Sequence, residues 1–126
     1  MVGAIPADVV MHARPRGRGY MRLEETGLGP WPQVSTADAG NFSFPAHEFH
    51  YASLEKMAPD LEFAYRVKRG AGIDGHNDGI VMGNLVASFC HLRDTGACRW
   101  AARFAAFVRA KRRGAHAPAG RIAHGA

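Results

Sequence analysis

Hydrophobic and polar positions alternate along two stretches of the chain, residues 42–54 and 61–70. Because the side chains of a β-strand point alternately to opposite faces, this alternating pattern predicts two strands. Residues 19–24 predict a further extended run, since Pro15, Gly17 and Gly19 disfavour a helix there. The segment IVMGNLVASF, residues 80–89, is almost entirely apolar or small. Its composition predicts a central strand that is buried on both faces of a sheet.

A helical period follows near the C-terminus. Four apolar side chains recur there at positions i, i+4, i+7 and i+8, namely Trp100, Phe104, Phe107 and Val108. This spacing predicts an amphipathic helix over residues 99–112 that docks on the sheet through its aromatic side chains. Burial of each of these aromatic side chains would contribute about 1.5–3 kcal/mol. Gly114 is expected to end the helix, and residues 114–126 are expected to form a basic, disordered tail.

Two further segments predict irregular structure. Residues 26–45 are rich in Gly, Pro, Ser, Thr and Asn, which is typical of a long surface connection. Residues 70–79, GAGIDGHNDG, have the Asp and Gly content of a calcium loop. They lack the acid at the twelfth position and the following helix that an EF-hand requires, so they predict a turn. The elements together predict an α/β fold, with a mixed sheet and a C-terminal helix.

The composition limits the class of protein. The chain has 126 residues, of which 47% are hydrophobic, so it is one domain or part of one. Its net charge is +5, and no acidic residue follows residue 98. A basic end of this kind is more typical of a solvated helix end and tail than of a nucleic-acid surface. With only Cys90 and Cys98, no signal peptide and no membrane-spanning run, the sequence predicts a cytoplasmic protein without a membrane partner.

Titratable side chains are concentrated in PAHEFHYASL, residues 45–54. In a strand, Glu48 and His50 would share one face, while His47 and Tyr51 would share the other. The spacing H-E-F-H is one residue short of the zinc-protease motif H-E-x-x-H, and the two histidines of a strand would point apart, so a metal site is not expected. A strand with hydrogen-bonded polar residues at a sheet edge remains an alternative to a functional site.

A second candidate is ASFCHLRD, residues 87–94. His91 follows a predicted buried strand at the point where it leaves the sheet, which is where open α/β sheets place functional side chains. A histidine there is also commonly a hydrogen-bonded core residue. Cys90 would project to the opposite face from His91, and Cys98 has no strand-to-turn elbow around it. Neither cysteine is therefore expected to be a nucleophile.

Five segments in this order resemble the cobyrinic acid a,c-diamide synthase family, in the C-terminal part of its class I, triad-type glutamine amidotransferase domain. They are MVGAIPADVVMHARPRGRGY, AHEFHYASL, AYRV, DGIVMGNLVASFCHLR and RWAARFAAFV. Ala52 and Phe89 stand where the family pattern has Ser and Tyr. The resemblance implies that residues 1–113 are the C-terminal half of a flavodoxin-like domain.

By this resemblance, HEFHY is a strand and wall of a glutaminase pocket, and His91 is the catalytic histidine. The other candidates for the glutamine pocket or the support of His91 are His47, Glu48, His50 and Tyr51. Arg93 occupies the position of the triad glutamate of related amidotransferases, which leaves Glu48 as the candidate that orients His91. The resemblance also implies that His91 and the face carrying Glu48 and His50 line one concave surface.

The family's nucleophilic cysteine and its synthetase domain are expected upstream of this chain, in an N-terminal half or a companion chain. The implied partners are glutamine and, through the synthetase domain, a tetrapyrrole carboxylate; ATP and Mg²⁺ would bind the synthetase domain and no cofactor would bind this part. The isolated chain is therefore expected to be inactive. Two alternatives remain open: the same chemistry on sirohaem in sulfur metabolism, or a non-catalytic remnant or binding subunit.

Overall fold

The computed structural model describes residues 2–32, 43–96 and 98–115. Its elements are β1 (Asp8–Met11), β2 (Gly17–Glu25), β3 (Ser43–His50), β4 (Ala52–Glu55), β5 (Glu62–Arg69), β6 (Asn77–Met82), β7 (Leu85–Ala87), β8 (Cys90–His91) and α1 (Trp100–Ala115). Strands β3 and β5 fall where the alternating pattern predicts them, and β2 contains the predicted extended run, so these predictions are confirmed.

The sheet is antiparallel throughout the described ranges. Six strands pair in the order β7-β6-β5-β2-β3-β8, and β1 pairs with β4 in a separate two-stranded sheet. The combination of β-sheet with a C-terminal helix is as expected, but the prediction of a mixed sheet is wrong for these residues. The physical reason is the short connections from β5 through β7, because parallel neighbours require a crossover of a dozen or more residues.

The apolar run at residues 80–89 forms a hairpin, and β8 begins only after it, at Cys90. Strand β6 ends at Met82 and β7 begins at Leu85, with Gly83 and Asn84 between them. Gly83 has φ of 58°, which a two-residue hairpin turn with glycine first requires. The predicted central strand is therefore wrong, and β7 lies at the edge of the sheet.

The core lies on one face of β2, β3 and β5. The buried side chains of its main cluster are Met21, Leu23, Phe44, Ala46, Ala64, Tyr65, Cys90 and Cys98. Phe44 and Tyr65 contact each other edge to face, with ring centroids 5.8 Å apart. Buried and exposed side chains alternate along β2 and β3, so the opposite face of the sheet is exposed there.

Helix α1 confirms the predicted amphipathic helix but extends through Gly114 to Ala115. Its packing differs from the expectation. Trp100 packs against the core cluster, whereas Phe104 and Phe107 contact Trp31, with ring centroids 5.6 Å and 6.2 Å away. The helix therefore packs on the segment after β2 more than on the sheet itself, and Phe104 remains 43% exposed.

Arg103 anchors the helix electrostatically. Its guanidinium donates hydrogen bonds to the carboxylate of Glu25 and to the carbonyl oxygen of Pro32. Parts of two predictions, the connection at residues 26–45 and the tail at 114–126, lie outside the described residues. No helix within the described ranges is long and apolar enough to cross a membrane.

Candidate active site

Strand β3 presents different chemistry on its two faces. Glu48 is buried on the core side, at 2% exposure, while His47 and Phe49 are exposed on the other side. His50 returns to the inner side and contacts Glu48. The predicted division of the HEFHY segment between two faces is therefore confirmed.

Glu48 binds backbone groups of the turn after β5. Its carboxylate accepts hydrogen bonds from the N–H groups of Ala71 and Gly72, at 2.7 Å and 2.9 Å. Space for this carboxylate depends on Gly17, since a Cβ atom there would overlap both Glu48 and His50. The carboxylate of Glu48 therefore binds backbone groups inside the protein, and these hydrogen bonds join β3 to the turn.

His50 completes the same internal cluster. Its Nε2 lies 3.1 Å from Oε2 of Glu48, and its Nδ1 lies 2.9 Å from the carbonyl oxygen of Ala52. Each ring nitrogen of His50 therefore lies beside an oxygen atom of the fold. The ring also stacks on Phe89, with centroids 4.2 Å apart. His50 therefore links Glu48, Ala52 and Phe89 within the fold.

A second buried carboxylate, Asp78, fixes the backbone that leads to His91. It is 0% exposed and accepts hydrogen bonds from the N–H groups of Phe89 and Cys90, both at 3.0 Å. Burial raises the pKa of Asp78, and the nearby charge of Glu48 raises it further, while the hydrogen bonds oppose the shift. Asp78 therefore holds the start of β8 in place.

His91 lies on the outer face of the sheet. Strand β8 pairs with β3 in the register His47↔His91 and Glu48↔Cys90. Residues directly opposite each other in an antiparallel pair share a face, so His91 lies beside exposed His47. The two ring centroids are 5.8 Å apart, and Tyr20 approaches His47 edge-on at 6.1 Å.

These side chains line an open groove of about 500 Å³. We call it the His91 groove. Its lining residues are Tyr20, Pro45, Ala46, His47, His91, Arg93 and Thr95. The groove combines a histidine at a strand end with aromatic, cationic and hydroxyl groups.

The structure corrects one expectation about the site. Glu48 and His50 do not share a surface with His91, because the β3–β8 register places His91 opposite His47 on the other face. Glu48 is for the same reason not in position to orient His91. Tyr51 is 38% exposed and contacts Phe49, with centroids 5.6 Å apart, and it is not among the lining residues of the groove.

Both cysteines are buried, with Cys90 6% and Cys98 3% exposed. Burial, with a smaller contribution from the charge of Asp78, raises the pKa of Cys90 to about 12. Burial also raises the pKa of Cys98. A thiol with a raised pKa is rarely a thiolate near neutral pH, so neither cysteine is suited to nucleophilic attack. Within the described ranges, no group of three or more His, Cys, Asp or Glu side chains is placed to hold a metal ion.

Sequence reasoning did not identify two residues of this region, Tyr20 and Asp78. Tyr20 and its ring partner His47 are far apart in the sequence. Only the β2–β3 register brings the two rings together. Asp78 stood in a segment whose Gly and Asp content predicted a turn, and nothing local distinguished it from the exposed Asp74.

The chain is similar to known proteins over most of its length. It is 41% identical over 109 residues to the cobyrinate a,c-diamide synthase of Magnetococcus marinus, a match that covers 86% of this chain and 22% of that protein. Proteins of the same name from Methanosarcina acetivorans and Halobacterium salinarum are 33% and 37% identical over 92 residues. Each of these two matches covers 73% of this chain, and 17% and 19% of the relative.

No protein-family model matches the chain. No solved structure matches it either. The chain spans about a fifth of the length of the curated relatives that it matches, and it aligns with their C-terminal part. By these similarities, the chain belongs to the cobyrinate a,c-diamide synthase family, as a segment of its longer members.

Proposed function

We propose that this chain is the histidine-bearing, C-terminal part of a glutaminase that supplies ammonia for amidation of cobyrinate or a related tetrapyrrole in the cytoplasm. The observation that carries the proposal is the position of His91, which is exposed in an open groove at the end of a short strand. The fold that we propose for the complete domain is the flavodoxin-like class I amidotransferase. Glutamine is the small polar molecule that we assign to the His91 groove.

His91 would act as a general base and then as a general acid. It accepts the proton of a cysteine thiol, and the thiolate attacks the side-chain carbonyl carbon of glutamine. His91 then donates that proton to the amide nitrogen, which leaves as ammonia, and water releases glutamate from the thioester. The ammonia would attack a carboxylate of the tetrapyrrole that ATP has activated, with Mg²⁺, in the synthetase part of the protein.

The thiol would come from the part of the family protein that lies outside this chain. Cys90 and Cys98 are buried and have raised pKa values, so they do not supply it. The length of the relatives leaves room for that part, because this chain matches 22% of the Magnetococcus marinus protein. The glutaminase would therefore be completed by an upstream cysteine on a sharp strand-to-helix turn, the elbow cysteine.

Glutamate release from glutamine tests the proposal. The purified chain alone is expected to show no activity, because one histidine without a thiolate lacks the nucleophile of the reaction. Activity is expected when the chain is mixed with the upstream part of the Magnetococcus marinus relative. It is also expected in a fusion in which this chain replaces the matched 109 residues of that relative.

The fusion tests the proposal even when the two separate fragments fail to associate. A folded fusion that hydrolyses no glutamine, while the unmodified relative does so in the same assay, would contradict the proposal. Activity of the isolated chain that disappears in Cys90→Ser would also contradict it, because the nucleophile would then lie within this chain.

A non-catalytic binding subunit is the second candidate function. The burial of both cysteines favours it, since neither thiol is accessible to a substrate. The fusion assay separates the two candidates: a binding subunit would associate with the upstream part without restoring glutamine hydrolysis.

A further inference from the structure

A general base works efficiently when a second group fixes its tautomer and orientation. In the proposed glutaminase, His91 turns one ring nitrogen toward the thiol, and the other nitrogen requires an acceptor. By the resemblance to the amidotransferase family, Arg93 stands at the position that carries a glutamate in related triad enzymes. A guanidinium has donors only, so Arg93 cannot accept a hydrogen bond from His91.

The buried carboxylates are also unsuited to this role. Glu48 is opposite Cys90 rather than His91 and accepts hydrogen bonds from Ala71 and Gly72. Asp78 is fully buried and accepts hydrogen bonds from Phe89 and Cys90. Both lie on the core side of the sheet, whereas His91 is exposed on the outer side.

The titratable and charged groups that share the groove with His91 are Tyr20 from β2, His47 from β3 and Arg93 from the segment after β8. His47 is the direct cross-strand partner of His91. The two rings are tilted by 51° with centroids 5.8 Å apart, so small rotations of these exposed side chains bring two nitrogens into hydrogen-bond range. Tyr20 restricts His47 from the other side through its edge-on contact.

We propose that His47 is the positioning residue of the glutaminase: its neutral imidazole accepts a hydrogen bond from the His91 ring and fixes the tautomer that faces the thiol. This assignment rests on the proposed function of His91. A neutral imidazole has one acceptor nitrogen, which is sufficient to orient a neighbouring N–H. Unlike a carboxylate, it adds no negative charge beside His91.

Three substitutions at residue 47 test this in the fusion, with kcat, KM and the pH profile as readouts. His47→Ala should lower kcat about 10- to 100-fold with KM nearly unchanged. This loss of kcat is a part of the roughly 10²–10⁴-fold rate contribution of a positioned base. His47→Gln should restore most of kcat, because its amide oxygen also accepts a hydrogen bond. His47→Glu should move the acid limb of the kcat/KM profile to higher pH, because a carboxylate raises the pKa of a neighbouring histidine.

His76→Gln is the matched control, since His76 is an exposed histidine in the turn before β6 and outside the groove. It should leave all three readouts unchanged. Unchanged kcat in His47→Ala together with an unmoved acid limb in His47→Glu would overturn the assignment while leaving His91 as the base. If His91→Ala keeps full activity, both the assignment and the proposed function fail. Because Gln and Glu differ only in charge and both suit an exposed strand position, their comparison holds even if the alanine variant folds poorly.

Discussion

Replacing His91 with alanine in the fusion should lower kcat for glutamine hydrolysis by about 10²–10⁴-fold, the range expected for loss of a general base. The physical reason is that the thiol then loses the group that accepts its proton, and the leaving ammonia loses its proton donor. The exposure of His91 on the outer face makes large structural damage from this substitution unexpected. Initial rates of glutamate release at saturating glutamine provide the measurement.

Two controls accompany that comparison. His76→Ala removes an exposed histidine elsewhere and should retain the unsubstituted rate. Cys90→Ser and Cys98→Ser should retain glutamine hydrolysis wherever the variant folds, because neither buried thiol takes part in the proposed reaction. A His91→Ala rate within about twofold of the unsubstituted fusion would exclude His91 as the base, since a factor of two corresponds to less than about 0.5 kcal/mol.

Replacing Asp78 with alanine should lower the free energy of unfolding of the chain by about 2–5 kcal/mol. The substitution leaves the N–H groups of Gly79, Phe89 and Cys90 without their side-chain acceptor, and each buried donor left unpaired costs about 1–3 kcal/mol. It also creates a cavity beside β6, where Asp78 is among the largest fully buried side chains. Urea denaturation monitored by circular dichroism measures the change.

Asp74→Ala is the matched control for this prediction. Asp74 likewise accepts hydrogen bonds from backbone N–H groups, those of His76 and Asn77, but it is exposed. Water can replace its carboxylate there, so the loss should be only about 0.5–1.5 kcal/mol. Equal losses for the two variants would show that the Asp78 carboxylate does not hold β8.

The raised pKa of Asp78 also gives the sign of a pH effect. The folded chain binds a proton at this carboxyl at higher pH than the unfolded chain does. The contribution of Asp78 to stability therefore falls as the pH rises from the ordinary range of an aspartate through its raised pKa. The Asp78→Ala variant should lack this component of the pH dependence.

Local pattern was sufficient to predict the strands that bury one face. The alternation of Met21 and Leu23 in β2, and of Phe44 and Ala46 in β3, directly reflects the side of the sheet on which the core lies. It was insufficient at residues 80–89, because an apolar run does not distinguish one buried strand from a hairpin. There the Gly83–Asn84 turn determines the structure, and this Gly-Asn dipeptide was the local signal.

The candidate site shows the same limit. The sequence indicated that Glu48 and His50 share a face, and this feature is present. It also indicated that His91 directly follows a buried strand at residues 80–89, whereas His91 ends the separate two-residue strand β8. It did not indicate which face of β3 His91 would join. That depends on the register of a two-residue strand, and a shift of one residue would move His91 to the core side. The backbone hydrogen bonds of Asp78, formed across the fold, fix the start of that strand.

A cross-linking experiment tests most directly whether His91 faces the nucleophile. In the fusion, His91→Cys should be joined to the elbow cysteine by a short reagent that alkylates two thiols, with the linked peptides identified by mass spectrometry. Cys90 and Cys98 should stay unmodified in the folded protein, because both thiols are buried and have raised pKa values. His76→Cys, an exposed control position, should not link to the elbow cysteine. Efficient linkage from position 91 and none from position 76 is the predicted result; linkage from position 76 alone, in a folded fusion, would contradict the assignment of the His91 groove to the glutaminase site.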